Sequence, residues 1–264
     1  MRALLKYTLL PLFLFQACSN EIKEEKFDID WIYSDEGRMV GASYNTAWIN
    51  DNTLYLMDMR KPKEERTLLK MNPNSSMKMV PVVNSEKISK SILSAVGRTD
   101  TSMYIEWPSS FSSTGNHGIY FFEEDIYMLD VPNESYRRIT NTKSEEKAAR
   151  FSPDGKKISF VRENDIYIYD IRTQKEKRIT FSGSETNLNG TVSWVYWEEI
   201  FGRKDLGYWW SDDSKAIAFL NTDESEVTKM HYVHWKPAES ELITQRYPKA
   251  GTKNPVVKLG IIEL

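Results

Sequence analysis

The sequence predicts an all-β chain, an incomplete β-propeller of about five four-stranded blades. Three observations lead there: a repeat with a 40-residue offset, period-2 alternation inside each copy, and a 12% aromatic content that suits pleated surfaces. Residues 125–140 read DIYMLDVPNESYRRIT and residues 165–180 read DIYIYDIRTQKEKRIT; a fainter copy, TLYLMDMRKPKEER, spans 53–66. Each copy opens with a hydrophobic–Tyr–hydrophobic alternation, reaches an Asp at a turn and ends in a basic run, which predicts strand, tight turn, strand. A further element precedes it. Residues 151–161 (FSPDGKKISFV) combine a Pro-Asp-Gly turn with an alternating strand, and residues 210–220 (WSDDSKAIAFL) repeat it with Asp212 in place of the Pro. A sandwich with two chance-similar hairpins is the competing reading, and agreement along the aligned copies opposes it. No substantial helix is expected within 27–264.

The 264 residues are 40% hydrophobic and 28% charged, enough for one large or two small globular domains. The net charge of −3 suggests neither a nucleic-acid partner nor direct attraction to an anionic membrane.

The first residues stand apart. Arg2 and Lys6 precede the apolar run TLLPLFLF at 8–15, which is too short to span a bilayer and has the form of a secretory signal. Cys18, the single cysteine, follows Ala17 and resembles the lipid-attachment cysteine of a bacterial lipoprotein box, although Phe15 and Gln16 depart from its usual residues. An ordinary signal with an incidental Cys is the alternative. Residues 1–18 are thus expected to form a signal and lipobox, 19–26 a polar tether and 27–264 the propeller. Export to the periplasm or cell envelope follows in either case, with no internal disulfide and with membrane contact only through a lipid anchor.

The repeat is interrupted once. Twelve residues separate Thr140 from Ser152, but 31 separate Thr180 from Ser211, an excess of 19 within 182–206. Insertions in repeat folds emerge as loops on one face. This one contains WVYWEEIFGRKDLGYWW (194–210), where Glu198 and Glu199 lie among Trp194, Tyr196, Trp197 and Phe201, bracketed by Gly190 and Gly202. Two adjacent carboxylates in an aromatic setting call for a cation. It is either Arg203 or Lys204, in a structural salt bridge, or the ammonium of a ligand, whose three donors two carboxylates can share. The other Glu-Glu pairs, at 24–25, 64–65, 123–124 and 145–146, read as solvated surface.

The segment WVYWEEIFGR…WWSDDSKAIAFLNTDESEV…YPKAGTKNPVVKLG resembles the N-terminal propeller of the dipeptidyl peptidase IV branch of the prolyl oligopeptidase family. Four motifs agree in order and spacing over roughly 75 residues: the Glu pair, Trp209-Trp210, Asp223–Ser225 and Tyr247–Pro255. Residues 28–70 resemble the bacterial members more loosely. The resemblance implies that Glu198 and Glu199 clamp the free N-terminal ammonium of a peptide substrate, with Trp194, Tyr196 and Phe201 lining the pocket. It also implies a homodimer in the complete enzyme. Ser193 stands where the family usually has Asp, and Trp197 where a third Glu or Gln often sits.

The family's serine chemistry uses a G-x-S-x-G elbow, and no such motif occurs in these residues. Of the three histidines, His117 falls in a Gly-rich turn, while His231 and His234 sit at opposite faces of one strand and read as strand packing. No metal, cofactor or catalytic residue is expected. The reading is therefore the propeller portion of a serine peptidase whose α/β-hydrolase domain lies elsewhere. A non-catalytic TolB-like binding propeller and an inactive truncated product are the alternatives.

Overall fold

The structure is a computed structural model that describes residues 28–264 apart from residues 76, 100–102 and 237. The expected signal, Cys18 and the tether lie outside the described residues. The chain divides into two compact units at Gly41/Ala42. Within the first, α1 (Ile29–Tyr33) is capped by Asp28, whose carboxylate accepts from the Trp31 amide at 2.7 Å, and α2 spans Asp35–Gly41.

The second unit is all-β and propeller-like, with five open antiparallel sheets. The first sheet runs β1 (Tyr44–Asn50), β2 (Thr53–Asp58), β3 (Leu69–Met71), β4 (Val80–Pro81). The second has β5 (Ser110–Phe111), β6 (His117–Phe122), β7 (Asp125–Asp130) and β8 (Ser135–Arg138), again in chain order. The third repeats that meander with β9 (Glu146–Phe151), β10 (Lys157–Arg162), β11 (Asp165–Asp170) and β12 (Lys175–Arg178). In the fourth, β13 (Asn187–Asn189) and β14 (Tyr208–Trp210) pair end to end along one edge of β15 (Ala216–Asp223), and β18 (Val256–Glu263) pairs along the other. A separate ribbon joins β16 (Lys229–His234) to β17 (Glu241–Arg246).

Period-2 patterning explains the stacking. On β7, Tyr127 and Leu129 enter one core while Ile126 and Met128 enter the next. On β11, Tyr167 and Tyr169 share the core of Ile126 and Met128, and Ile166 and Ile168 pack with Tyr208 and Ile217 of the fourth sheet. Each inner sheet is therefore buried on both faces.

The 40-residue repeat carries a repeated polar lock. Asp125 is paired with Arg138, the Arg138 Nε donates to the Thr140 carbonyl at 2.9 Å, and the Thr140 hydroxyl accepts from the Ile126 amide at 2.8 Å. Asp165, Arg178, Thr180 and Ile166 reproduce those contacts, with 2.9 and 2.8 Å at the same two bonds. The lock holds the far end of one strand to the start of its partner. The turns repeat as well. Ser152 Oγ lies 2.7 Å from Asp154, and Ser211 Oγ lies 2.7 Å from Asp213. Ser214, at φ +61°, takes the place of Gly155 at φ +69°.

Three sequence expectations need correction. A 12-residue helix, α3 (Ser85–Val96), follows the first sheet and buries Ile88 and Ile92 in the first core. Asn84 caps it by accepting from the Lys87 amide at 2.9 Å, and Gly97 ends it at φ +75°. His117 opens β6 rather than lying in the turn, and its ring is 6.3 Å from that of Phe151. Glu146 is not solvated surface: it is buried, held by Thr140, Thr142 and Arg162. His231 and His234 lie on β16, where His231 meets Thr244 across the ribbon at 2.9 Å.

Candidate functional site

The inserted segment leaves the fourth sheet after β13 and returns at β14, and its neck is fastened by backbone bonds. Gly190 N donates to Leu220 O at 3.0 Å, Gly207 N to Gly190 O at 2.8 Å, and Leu220 N to Gly207 O at 2.8 Å. Gly190 has φ +80°, and a Cβ there would sit 2.7 Å from Ile166 Cγ1, so both conformation and space demand glycine. Inside the neck, Asp205 accepts from the Val192 amide at 3.0 Å, and burial raises its carboxyl above the ordinary range.

The Glu pair lies on a short helix rather than a loop. Helix α4 (Trp194–Glu199) starts after Ser193, whose carbonyl accepts from Tyr196 N at 2.9 Å and Trp197 N at 3.1 Å. Gly202 and Arg203, at φ +60° and +61°, then reverse the chain, and Arg203 N donates to Trp197 O at 2.8 Å. That reversal brings the Arg203 guanidinium 3.0 Å from Glu198, whose side chain is 23% exposed against 77% for the arginine. Glu199, one residue on, is exposed and makes no ion pair among the described residues. The salt-bridge alternative therefore holds for Glu198 and leaves Glu199 unpaired; Lys204 pairs with neither.

Aromatic packing fixes the helix. The Trp194 ring lies 6.3 Å from Trp197 at 84° and 5.5 Å from Tyr247. Trp194 and the buried Ser193 line a cavity of about 350 Å³ with Glu224 and Arg246. Tyr196 and Phe201 are half-buried and do not line that cavity. Trp197, Arg203 and Asp205 line another, of about 550 Å³, opposite Glu123, Glu124, Glu145, Glu146 and Lys147, whose ammonium lies 3.1 Å from Glu145.

This acidic cavity is the part of the site that sequence reading missed. Glu123 and Glu124 form the β6–β7 turn at φ +48° and +72°, a conformation that favours Asn and Gly, and Ala148 on its wall is at φ +54°. Glu163 and Asn164 share that conformation at the matching β10–β11 turn, with φ +50° and +61°, so it belongs to the two-residue hairpin. The signal available was a Glu-Glu pair at a two-residue turn where Asn-Gly would be preferred. Among the described residues no group of three or more His, Cys, Asp or Glu is placed to hold a metal ion. The arrangement can accept an organic cation in a cavity of excess negative charge, beside carboxylates carried on a short helix.

Residues 109–264 match the family model of the dipeptidyl peptidase IV (DPP IV) N-terminal region. The chain belongs to this family. It is similar to mouse (Mus musculus) prolyl endopeptidase FAP, with 28% identity over 183 residues, covering 67% of this chain and 24% of that protein. It is 36% identical over 86 residues to dipeptidyl aminopeptidase B of Saccharomyces cerevisiae, covering 31% of this chain and 10% of that one. The crystal structure of Porphyromonas gingivalis dipeptidyl peptidase 4 superposes with a TM-score of 0.68 and 25% identity, covering 91% of this chain and 34% of that chain. The chain thus spans about a quarter to a third of the length of the relatives it matches most broadly.

Proposed function

We propose that this DPP IV N-terminal-type chain is the propeller part of an exported, lipid-anchored serine peptidase that releases N-terminal dipeptides, X-Pro or X-Ala. In this reading Glu198 and Glu199 bind the substrate's free N-terminal ammonium. The observation that carries it is the unequal pairing of the two carboxylates. Glu198 is held in place by Arg203 across 3.0 Å, while Glu199 is exposed and unpaired among the described residues, ready for an incoming cation. An ammonium seated there brings three donors to two acceptors and is further favoured by the acidic cavity alongside. Fixing that end of the peptide sets how far the chain reaches toward a nucleophile, and so which bond is cut. The nucleophile, its base and the oxyanion donors belong, on this proposal, to an α/β-hydrolase domain, and the complete enzyme is a homodimer.

Both carboxylates are partly solvated, so each is worth less than a desolvated ion pair. A charge-assisted hydrogen bond of about 1.5 kcal/mol corresponds to roughly tenfold in affinity. Glu199→Gln is expected to weaken binding of a free-amine tripeptide by about that factor, measured by calorimetry on this chain. Arg203→Gln, which releases Glu198, is expected to strengthen it a few-fold. Unchanged affinity in Glu199→Gln would remove the clamp.

A further inference from the structure

A third cavity stands apart from the Glu pair and has the opposite charge. The edge strands β5, β9 and β14, from three successive sheets, surround about 560 Å³ of space. Its walls include Phe111, Phe151, Tyr208, Trp209 and Trp210, and Arg150 is the one charged side chain among its lining residues. Arg150 is half-buried and makes no ion pair among the described residues. The hydroxyls of Ser110 and Ser113, which also face the cavity, make no hydrogen bond among the described residues. In an acidic protein of net charge −3, an unpaired guanidinium between aromatic walls is out of keeping with its surroundings. Removal from water penalises such a charge unless an anion joins it.

We infer that this cavity binds a carboxylate of a peptide segment, with Arg150 as its counter-ion and the aromatic walls as platforms for the flanking residues. The chemistry selects the ligand. A guanidinium presents a planar fork that matches the two oxygens of a carboxylate, whereas phosphate sites gather several cations. Aromatic walls strengthen the pairing by excluding water and hold adjacent peptide planes by stacking. The position on the sheet favours a peptide over a free anion. Ala148 lines the acidic cavity and Arg150 lines this one, two residues apart in β9 across the irregularity in its pairing with β10. A segment of a few residues lying along β9 therefore meets negative charge at one end and positive charge at the other.

The test avoids the ammonium clamp by using N-acetylated peptides. Tryptophan fluorescence of this chain, to which Trp209 and Trp210 contribute, is titrated with acetyl-Ala-Ala-Ala ending in a carboxylate, with its C-terminal amide, and with acetyl-Ala-Glu-Ala amide. At least one carboxylate peptide is expected to bind at least fivefold more tightly than the neutral amide. The first arm reports a chain terminus and the third an acidic side chain. Arg150→Gln is expected to abolish that preference and Arg150→Lys to keep part of it. Equal binding of all three peptides by the wild-type chain would overturn the inference, as would an undiminished preference in Arg150→Gln. Because no peptide in the series has a free amine, either result leaves the Glu-pair proposal standing or falling on its own test.

Discussion

Asp165→Ala tests the repeated polar lock. The Asp165 side chain has no exposed surface, and it accepts from Arg178, from Thr180 Oγ1 at 2.6 Å, from Gly183 N at 3.0 Å and from Asn189 Nδ2 at 3.0 Å. Removing one partner of a buried pair costs roughly 3–5 kcal/mol. Two features pull the value toward the lower end. Arg178 is 38% exposed and can hydrate once released. Asn189 Nδ2 keeps a bond to Ser182 at 3.0 Å. The Gly183 amide loses its acceptor, and Thr180 loses the acceptor for its own proton. A loss of about 3 kcal/mol follows, roughly two powers of ten in the folding constant. The matching Asp125→Ala is expected to cost less, about 2 kcal/mol, because Asp125 accepts from Arg138 and the Thr142 amide while Thr140 turns instead to Glu146. Urea unfolding followed by circular dichroism should show a lower midpoint with an unchanged slope. A loss below about 1 kcal/mol for Asp165→Ala, or a larger loss for Asp125→Ala, would refute the reasoning.

Further outcomes follow from the same contacts. Gly190→Ala is expected to destabilise by about 1–3 kcal/mol through backbone strain and overlap with Ile166, and to loosen the neck, read as faster hydrogen exchange across 190–207. Burial raises the carboxyls of Glu146, Asp205 and Glu224. The folded state then holds those protons more tightly than the unfolded chain does, so their contribution to stability grows as pH falls from above the folded pKa toward the ordinary 4.5 of Glu and 3.8 of Asp. Asp58 runs the other way: Arg60 lowers it to about 2, so its contribution is lost only as pH falls from 3.8 through that value. Burial lowers His117, which subtracts stability as pH falls below 6.5, so the expected outcome is comparative. From neutral pH to about pH 5 the urea midpoint should rise more, or fall less, in the wild-type chain than in Glu224→Gln. A midpoint that falls equally in both proteins contradicts this.

The repeat made much of the fold legible. Tyr127 and Tyr167, Asp125 and Asp165, and Thr140 and Thr180 recur at one offset because the same lock and the same two-sided burial are built twice. Helix α3 was legible in principle, since Asn84, Gly97 and the Ile88–Ile92 spacing are ordinary helix signals. The strand repeat masks it, because the segment between the copies at 53–66 and 125–140 does not share that pattern. At the site, the placement of Glu198 and Glu199 on one inserted segment was readable from the excess length. The helical form of WVYWEE was not, because its aromatic residues favour strands and the helix is held by tertiary packing of Trp194 on Trp197 and Tyr247. The acidic cavity was not readable either, because it forms where the β6–β7 turn and the start of β9 approach residues 197–205. Adjacency of that kind has no counterpart in local sequence.

The most direct measurement compares two peptides that differ only at their first nitrogen. Ala-Pro-Ala amide and its N-acetyl form are titrated calorimetrically into this chain at neutral pH, and each is repeated with Glu198→Gln/Glu199→Gln. The ammonium clamp predicts that the free amine binds about tenfold or more tightly than the acetylated peptide, and that the double variant removes the difference. Equal affinity of the two peptides for the wild-type chain would contradict it.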